Sequence, residues 1–123
     1  YTVPAVFLYK AMYNSLYMNT FSITSTVKKY PKQHPYEDIK RAVLGVKYEL
    51  SLVFIGNKRA ATLNQTYRKK TYSPNVLSFP LTEAAGEIFI APLVANSEAK
   101  KFELSSDGYV AFLFIHGLLH LKG

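Results

Sequence analysis

Hydrophobic and polar residues follow two different periods along this chain, and their order predicts four strands. Residues 21–27 (FSITSTV) alternate apolar and hydroxyl side chains, as a strand with one buried face does. Residues 48–55 (YELSLVFI) alternate at first and then run apolar, which is typical of a central strand. Two shorter apolar stretches, residues 76–79 and 87–90, predict an antiparallel pair joined by a tight turn. We expect Pro80 to close the first strand of this pair.

Apolar residues at helical spacing predict a helix after each of the first two strands. The first helix begins at Tyr36, and Gly45 near its end can adopt the backbone conformation that terminates a helix. The second helix runs from Lys58 to about Lys70, and Asn57 is its expected N-terminal cap. A crossover helix between two strands favours a parallel arrangement of those strands.

Two further helices are predicted towards the end of the chain. Pro92, a residue tolerated in a first turn, opens a helix that continues to about Phe102. Residues 105–107 (SSD) cap the last helix, which is nearly all apolar from residue 109 to residue 115. A helix that is apolar on every side belongs in the centre of a domain. We therefore expect this helix to be buried, with the residues that follow at a buried edge.

The order β-α-β-α-β-β-α-α predicts a single α+β domain with a mixed sheet of about four strands and a buried C-terminal helix. We place this domain at residues 18–123. Residues 1–17 are rich in aromatic residues and contain one charge, Lys10, so they fit poorly with the rest; Met18 would be a sensible start. We expect residues 1–17 to be an N-terminal extension that does not belong to the domain. No run approaches the roughly 18 apolar residues of a membrane span.

The charge balance favours a polyanionic partner. The 123 residues contain 15 Lys and Arg against 8 Asp and Glu, a formal charge of +7. Such an excess on a small domain favours nucleic acid, because each neutralised phosphate releases counterions; a merely basic, soluble surface is the alternative. The chain has no cysteine, which excludes disulfides and thiolate ligands and suits a reducing cytosol.

Two histidines near the end of the last helix are candidate metal ligands. His116 and His120 are four residues apart, so in a helix their imidazoles lie on one face and can close on the same ion. A catalytic zinc site needs three protein ligands, and the only other histidine, His34, lies far upstream. The pair is therefore two thirds of a zinc site, or, alternatively, two partly buried histidines hydrogen-bonded to the backbone. In a zincin peptidase a glutamate follows the first histidine, but here Gly117 does, which disfavours amide hydrolysis by that mechanism.

These motifs resemble those of the YbeY endoribonucleases, which mature bacterial ribosomal RNA. The similarity covers roughly residues 20–123. Three blocks carry it in the family's order: residues 50–55 (LSLVFI) running into 63–68 (LNQTYR), residues 75–80 (NVLSFP) followed by 86–90 (GEIFI), and residues 116–123 (HGLLHLKG). In this family the last motif continues to a third metal-binding histidine, which would follow Gly123. The family usually has Pro-Thr-Asp, sometimes with Asn in place of Asp, before its Val-Leu-Ser-Phe-Pro block, whereas this chain has Ser73-Pro74-Asn75.

The resemblance implies a zincin-like, YbeY-like fold and a zinc-dependent endoribonuclease that cuts single-stranded RNA in rRNA maturation and ribosome quality control. It implies that His116 and His120 bind one Zn²⁺ and that Arg68 holds the scissile phosphate, although a surface ion pair is the ordinary role of an arginine at a helix end. Five further residues are candidates for supporting the ligands or contacting RNA: Glu87, Asn75, Ser78, Lys69 and Lys70.

Two other functions remain open. The first is a non-catalytic, basic RNA- or ribosome-binding domain whose metal site is incomplete, since two histidines would bind zinc more weakly than three. The second is a metal-dependent hydrolase of another phosphoester or an amide, which Gly117 and the basic charge disfavour. The expected partners of the endoribonuclease are single-stranded RNA, rRNA and a ribosomal subunit or its proteins, in the cytoplasm and without a membrane.

Overall fold

The computed structural model describes residues 20–123 together with Ala5, Val6, Leu8, Tyr9 and Met12. The prediction that residues 1–17 lie outside the domain therefore falls largely outside the described residues and stays a prediction. No helix among the described residues is both long and apolar enough to cross a membrane.

The predicted α+β class with a four-stranded mixed sheet is confirmed. The strands are β1 (Phe21–Ser25), β2 (Glu49–Phe54), β3 (Val76–Thr82) and β4 (Ala85–Ile90). The helices are α1 (Tyr36–Leu44), α2 (Asn57–Arg68), α3 (Pro92–Ala99) and α4 (Ser106–Lys122), and a 3-10 turn, Lys100–Phe102, follows α3. The zincin-like relationship stays a prediction.

The sheet has the order β1-β2-β4-β3, so β3 is an edge strand. β1 pairs with β2 and β2 with β4 in parallel, whereas β3 and β4 form the predicted antiparallel pair. In this register Ile88 lies opposite both Leu52 and Ser78. Because residues opposite each other point to the same face, Ser78 projects to the same side of the sheet as the buried Ile88.

The main core lies between one face of the sheet and three helices. Leu52, Phe54, Ile88 and Ile90 are fully buried there and pack with buried residues of α1, α3 and α4. Helix α2 covers part of the opposite face, where its Ala60 and Leu63 pack near Val53 and Phe89 of the sheet. This layering places α4 directly against β3 and β4.

The expectation that α4 is buried on every side is wrong. One face is buried, through Leu113, Phe114 and Leu118, but the outward Phe112 and Leu119 are 55% and 54% exposed. The helix packs on one face of a single sheet with α1 and α3 beside it, so the side chains that point away from the sheet lie outside the core. His116 and His120 consequently lie at the surface, not at a buried edge.

Two element ends also differ from the sequence prediction. Gly56, not Asn57, is the N-cap of α2, and no side chain caps this helix. Pro80 lies inside β3 instead of closing it; the strand runs on to Thr82 with a register shift after Pro80. An edge strand tolerates proline because the missing N–H need not serve a second neighbour. The terminator of α1 is as predicted: Gly45 has φ 88° and its N–H donates to the carbonyl of Arg41.

Candidate active site

The two candidate metal ligands converge at the C-terminal end of α4. The Nε2 atoms of His116 and His120 are 2.9 Å apart, and their rings are nearly perpendicular with centroids separated by 4.5 Å. At this distance one nitrogen donates a hydrogen bond and the other accepts it, in a direction set by the ring tautomers. Both side chains are exposed and face an open cleft.

The geometry of this pair fits two ligands of a zinc ion. Two nitrogens bound to one tetrahedral Zn²⁺ at about 2.0–2.1 Å lie roughly 3.3 Å apart, a few tenths of an ångström more than in the free pair. Imidazole nitrogens are also ligands that suit zinc. Among the described residues, however, no group of three or more His, Cys, Asp or Glu side chains comes together. The described residues thus supply two of the three protein ligands that a catalytic zinc needs.

A cleft of about 590 Å³ runs between β3 and α4 and collects most of the predicted site residues. These are Arg68, Asn75, Ser78, His116 and His120. Tyr109, Phe112 and Leu113 of α4 complete much of the wall. The residues come from α2, the loop before β3, β3 itself and α4, and only the tertiary fold brings them to one place.

Arg68 reaches this cleft because of where α2 ends. Helix α2 packs on the opposite face of the sheet but ends beside the edge strand β3, and its last residue lines the cleft. Within the described part of the chain the Arg68 guanidinium forms no ion pair. The alternative of an ordinary surface ion pair is therefore not observed among these residues, and the charge is available to an anion.

Two features fix the loop that follows Arg68: the end of helix α2 at Lys69 and the buried Asn64, which the sequence analysis did not single out as a site residue. Lys69 adopts a left-handed conformation with φ 58° and ends α2. The N–H of Lys69 donates to the carbonyl of Gln65, the bond of a left-handed C-terminal cap, and the N–H of Lys70 donates to the carbonyl of Asn64. The buried Asn64 donates from Nδ2 to the carbonyl of Tyr72 at 2.9 Å. In the sequence, the only signal for Asn64 was its position inside the block of residues 63–68 (LNQTYR).

Gly117 brings α4 into close contact with the sheet between the two histidines. A Cβ at this position would lie 2.9 Å from Oγ of Ser78 and 3.1 Å from Cδ1 of Ile88. The Ser78 hydroxyl donates to the Gly117 carbonyl at 3.1 Å. The Cβ of a glutamate at position 117 would press against these atoms, so the packing here disfavours the glutamate of the zincin peptidase motif. Ser78 lines the cleft and also ties its two walls together.

A hydrogen-bonded triad closes one end of the cleft. Asn75 donates from Nδ2 to Oε2 of Glu98 at 2.7 Å, and the Tyr109 hydroxyl donates to the same oxygen at 2.9 Å. Burial raises the pKa of Tyr109, and the bond to Glu98 raises it further. Since Glu98 accepts from Nδ2, the Oδ1 atom of Asn75 is left for another donor. Sequence reasoning missed Glu98 and Tyr109, because neither stands in a recognisable motif.

Three predicted residues do not line the cleft. Glu87 lies opposite Ser51 and Phe79 on the sheet face that points away from α4, and it lines a separate pocket of about 260 Å³. The alternation of β4, with Ile88 and Ile90 buried, was the signal that could have placed Glu87 on the other side. Lys69 and Lys70 are exposed beyond the end of α2 and are not part of the cleft wall.

Comparison with known proteins gives consistent matches. The family model described as Endoribonuclease YbeY matches residues 14–123. A protein of Alkaliphilus metalliredigens named Endoribonuclease YbeY is 38% identical over 87 residues, which are 62% of this chain and 56% of that protein. A protein of Methylobacillus flagellatus with the same name is 33% identical over 96 residues, 76% of this chain and 64% of that protein. The chain thus spans roughly three fifths of the length of these relatives.

A solved structure supports the fold. The solution structure of TM1509 from Thermotoga maritima has a TM-score of 0.63 with this chain at 23% sequence identity. The superposition covers 84% of this chain and 72% of that one. At this identity the likeness establishes a shared fold.

Proposed function

The chain belongs to the YbeY endoribonuclease family, and we propose that it carries the catalytic centre of a metal-dependent endoribonuclease that cuts single-stranded RNA. The observation that carries the proposal is one cleft lined by Arg68, which forms no ion pair with any residue that the structure describes, and by two converging imidazoles, those of His116 and His120. This combination offers an anion-binding group beside a cation-binding pair, which is what phosphoryl chemistry requires. The family name and the excess of basic residues point to RNA as the phosphodiester.

In this proposal each residue of the cleft has a defined role. Arg68 holds two oxygens of the scissile phosphate through its planar fork. His116 and His120 are two zinc ligands, and the third is the histidine that the family motif has after Gly123. When bound, zinc supplies a Lewis acid that polarises a phosphoryl oxygen. Asn75, oriented by Glu98, offers Oδ1 to a donor of the RNA.

The biological setting of the proposal follows the family. The substrate is rRNA during processing and ribosome quality control, the partners are a ribosomal subunit or its proteins, and the site of action is the cytoplasm. Lys69 and Lys70, exposed beside Arg68, are proposed to contact the RNA backbone diffusely. Glu87 is left out of the chemistry because it faces away from the cleft.

The test is cleavage of a single-stranded RNA by zinc-loaded protein, made both as residues 18–123 and as a version extended by the codons that follow Gly123. We expect the extended form to bind one zinc and cut RNA, and Arg68→Ala to lower kcat by about 10²–10³ because a transition-state charge loses its partner. RNA affinity should change by less than about threefold, since one phosphate contact among several is lost. Arg59→Ala, an exposed arginine of α2 outside the cleft, is the matched control.

The non-catalytic RNA-binding domain makes the opposite prediction. If both versions bind RNA but neither binds zinc nor cuts, the enzyme proposal fails and the docking function replaces it. If Arg68→Ala and Arg59→Ala have the same activity, the role of Arg68 is wrong even where cleavage is real.

A further inference from the structure

A second cleft lies on the other side of α4, at its N-terminal end. It has a volume of about 440 Å³ and is bounded by the loop after β1 and by the first turns of α3 and α4. We propose that this basic cleft, defined by Lys28, Lys29, Tyr30 and Lys32 with Asn96 and Ser106, binds the phosphate backbone of single-stranded RNA away from the site of cutting. The inference rests on the proposed function, because it assigns a second contact to the same substrate.

The charge of the basic cleft is the first argument. Lys28, Lys29 and Lys32 place three ammonium groups within five positions of one loop, and among the described residues none of them forms an ion pair. One carboxylate, that of Asp107, also lines the cleft, and its Oδ2 accepts a hydrogen bond from Gln33 at 2.8 Å. Three lysines and one aspartate leave the lining with two net positive charges, which attract a polyanion by counterion release.

The loop that carries these lysines is held in place from several directions. Its first residue, Thr26, donates its N–H to the carbonyl of Phe54 at 3.0 Å. The hydroxyl of the buried Tyr36 donates to the carbonyl of Pro31, and Nε2 of His34 is hydrogen-bonded to the carbonyl of Asp107 at 2.7 Å. Because the backbone is already ordered, binding would cost little loop entropy, which favours a recognition surface over a flexible tail.

Aromatic and amide groups complete the lining. Tyr30 stacks on Phe54 with ring centroids 4.3 Å apart, and the Nζ of Lys32 lies 5.4 Å from the Tyr30 ring centroid. This cation–π contact orients one ammonium at the cleft. Asn96 and Ser106, hydrogen-bonded to each other, add polar groups that can reach phosphate and sugar oxygens. Proteins contact the phosphates and sugars of nucleic acids with this combination of lysine, tyrosine, amide and hydroxyl side chains.

The basic cleft lies close enough to the active-site cleft for one RNA strand to reach both. Ser106 and His116 are ten residues apart on α4, which corresponds to about 15 Å along the helix axis. With bases stacked as in one strand of a duplex, at about 3.4 Å per nucleotide, an RNA strand covers this axial separation in roughly five nucleotides. An RNA held in the active-site cleft can therefore continue to the basic cleft, provided it is longer than that.

The experiment compares two triple variants of the full chain, whose folding is first confirmed by circular dichroism. Lys28→Ala, Lys29→Ala and Lys32→Ala together remove the basic cleft. Lys47→Ala, Lys100→Ala and Lys101→Ala together remove the same charge from exposed positions outside it. Affinity is measured for single-stranded RNAs of about 4 and about 12 nucleotides, over a range of salt concentrations.

We expect the basic-cleft variant to lose at least about tenfold in affinity for the longer RNA at low salt. The slope of log affinity against log salt should fall by about 2, as three lost phosphate contacts predict. Its affinity for the short RNA should stay unchanged, and the control variant should keep nearly the full affinity for both.

Each other outcome overturns the inference in a recognisable way. If both triple variants weaken long-RNA binding equally, the effect is one of net charge and the cleft is not a site. If the cleft variant keeps its RNA affinity but loses binding of a poly-glutamate peptide, the cleft serves an acidic protein. If the unaltered chain binds no RNA at all, the proposed function fails and the inference fails with it. If the unaltered chain cuts RNA and the two triple variants have equal affinity for the longer RNA, only the second site is overturned.

Discussion

Asn75 illustrates how a single amide can set the chemistry at one end of the active-site cleft. Its Nδ2 donates to Glu98, which also accepts from Tyr109, so the carboxylate is held by two donors. An aspartate at this position would bring two carboxylates to hydrogen-bond distance, and one of them would have to keep its proton.

We predict that Asn75→Asp destabilises the protein at neutral pH by about 2 kcal/mol, because a donor is replaced by a like charge. The pair of carboxyls would have a raised pKa in the folded state. Stability from such a group is present below its unfolded pKa near 4 and is lost as pH rises through the folded pKa. The deficit should therefore shrink as pH falls from 7 towards 4.

Urea unfolding of the variant and the unaltered chain at several pH values measures this. Asn75→Ala is the control, since it removes the same donor without adding a charge and should show a deficit that does not vary with pH. An Asn75→Asp deficit of equal size at pH 7 and pH 4 would contradict the assigned contact.

At the scale of elements, the packing of α4 on the sheet decides where the histidines lie. The helix approaches β3 and β4 closely at Gly117, where the Ser78 hydroxyl bonds to its backbone. His116 directly precedes this contact point and His120 follows it by three residues, so a shift of the helix would move both rings relative to Arg68.

Gly117→Ala is expected to cost about 1–2 kcal/mol of stability. Overpacking against Ser78 and Ile88 costs about 1–3 kcal/mol, and the better helix propensity of alanine returns at most about 1 kcal/mol of it. Chemical denaturation checks the prediction. Combining the change with Ile88→Val, which removes the Cδ1 that the new methyl meets, should cost less than the two single changes added together. Strict additivity would argue against this close contact.

At the scale of the whole molecule, buried tyrosines join the helices to the sheet. Tyr36 contacts the rings of Phe54 on β2 and Phe114 on α4, and its hydroxyl donates to the carbonyl of Pro31 in the loop after β1. Burial raises the pKa of Tyr36, as it does for Tyr48 and Tyr109. The core therefore favours the protonated phenols more than the unfolded chain does.

This arrangement predicts unfolding at alkaline pH. A group whose pKa is raised by folding contributes stability below its unfolded pKa, here near 10, and that contribution is lost as pH rises towards the folded pKa. The free energy of unfolding should fall above pH 10, by up to about 1.4 kcal/mol per pH unit for each tyrosine that stays protonated. Burial also lowers the pKa of Lys40. This shift acts in the opposite direction, because it makes the free energy of unfolding rise with pH up to about pH 10.

Tyr36→Phe tests the assignment. The variant should be less stable near pH 7 by about 1–3 kcal/mol, because the Pro31 carbonyl loses its buried donor. Its stability should also fall less steeply between pH 10 and pH 12 than that of the unaltered chain. Tyr72→Phe, at an exposed position, is the control and should leave the pH profile unchanged. Parallel profiles for Tyr36→Phe and the unaltered chain would contradict the role of Tyr36.

Local chemistry accounts for what the sequence predicted correctly. Alternation and helical spacing placed four strands and four helices, and Gly45 and Ser105 marked a helix end and a helix start because backbone conformation and side-chain capping depend on near neighbours. The spacing of His116 and His120 was enough to bring their rings together, since both lie on one helix.

The tertiary structure alone decided which residues share a cleft. Arg68 meets the histidines because β3 is an edge strand and α2 ends beside it. The triad of Asn75, Glu98 and Tyr109 and the one-sided burial of α4 also depend on packing between elements distant in sequence. Such contacts carry no local pattern, because they arise from strand order and from the face that each helix turns to the sheet.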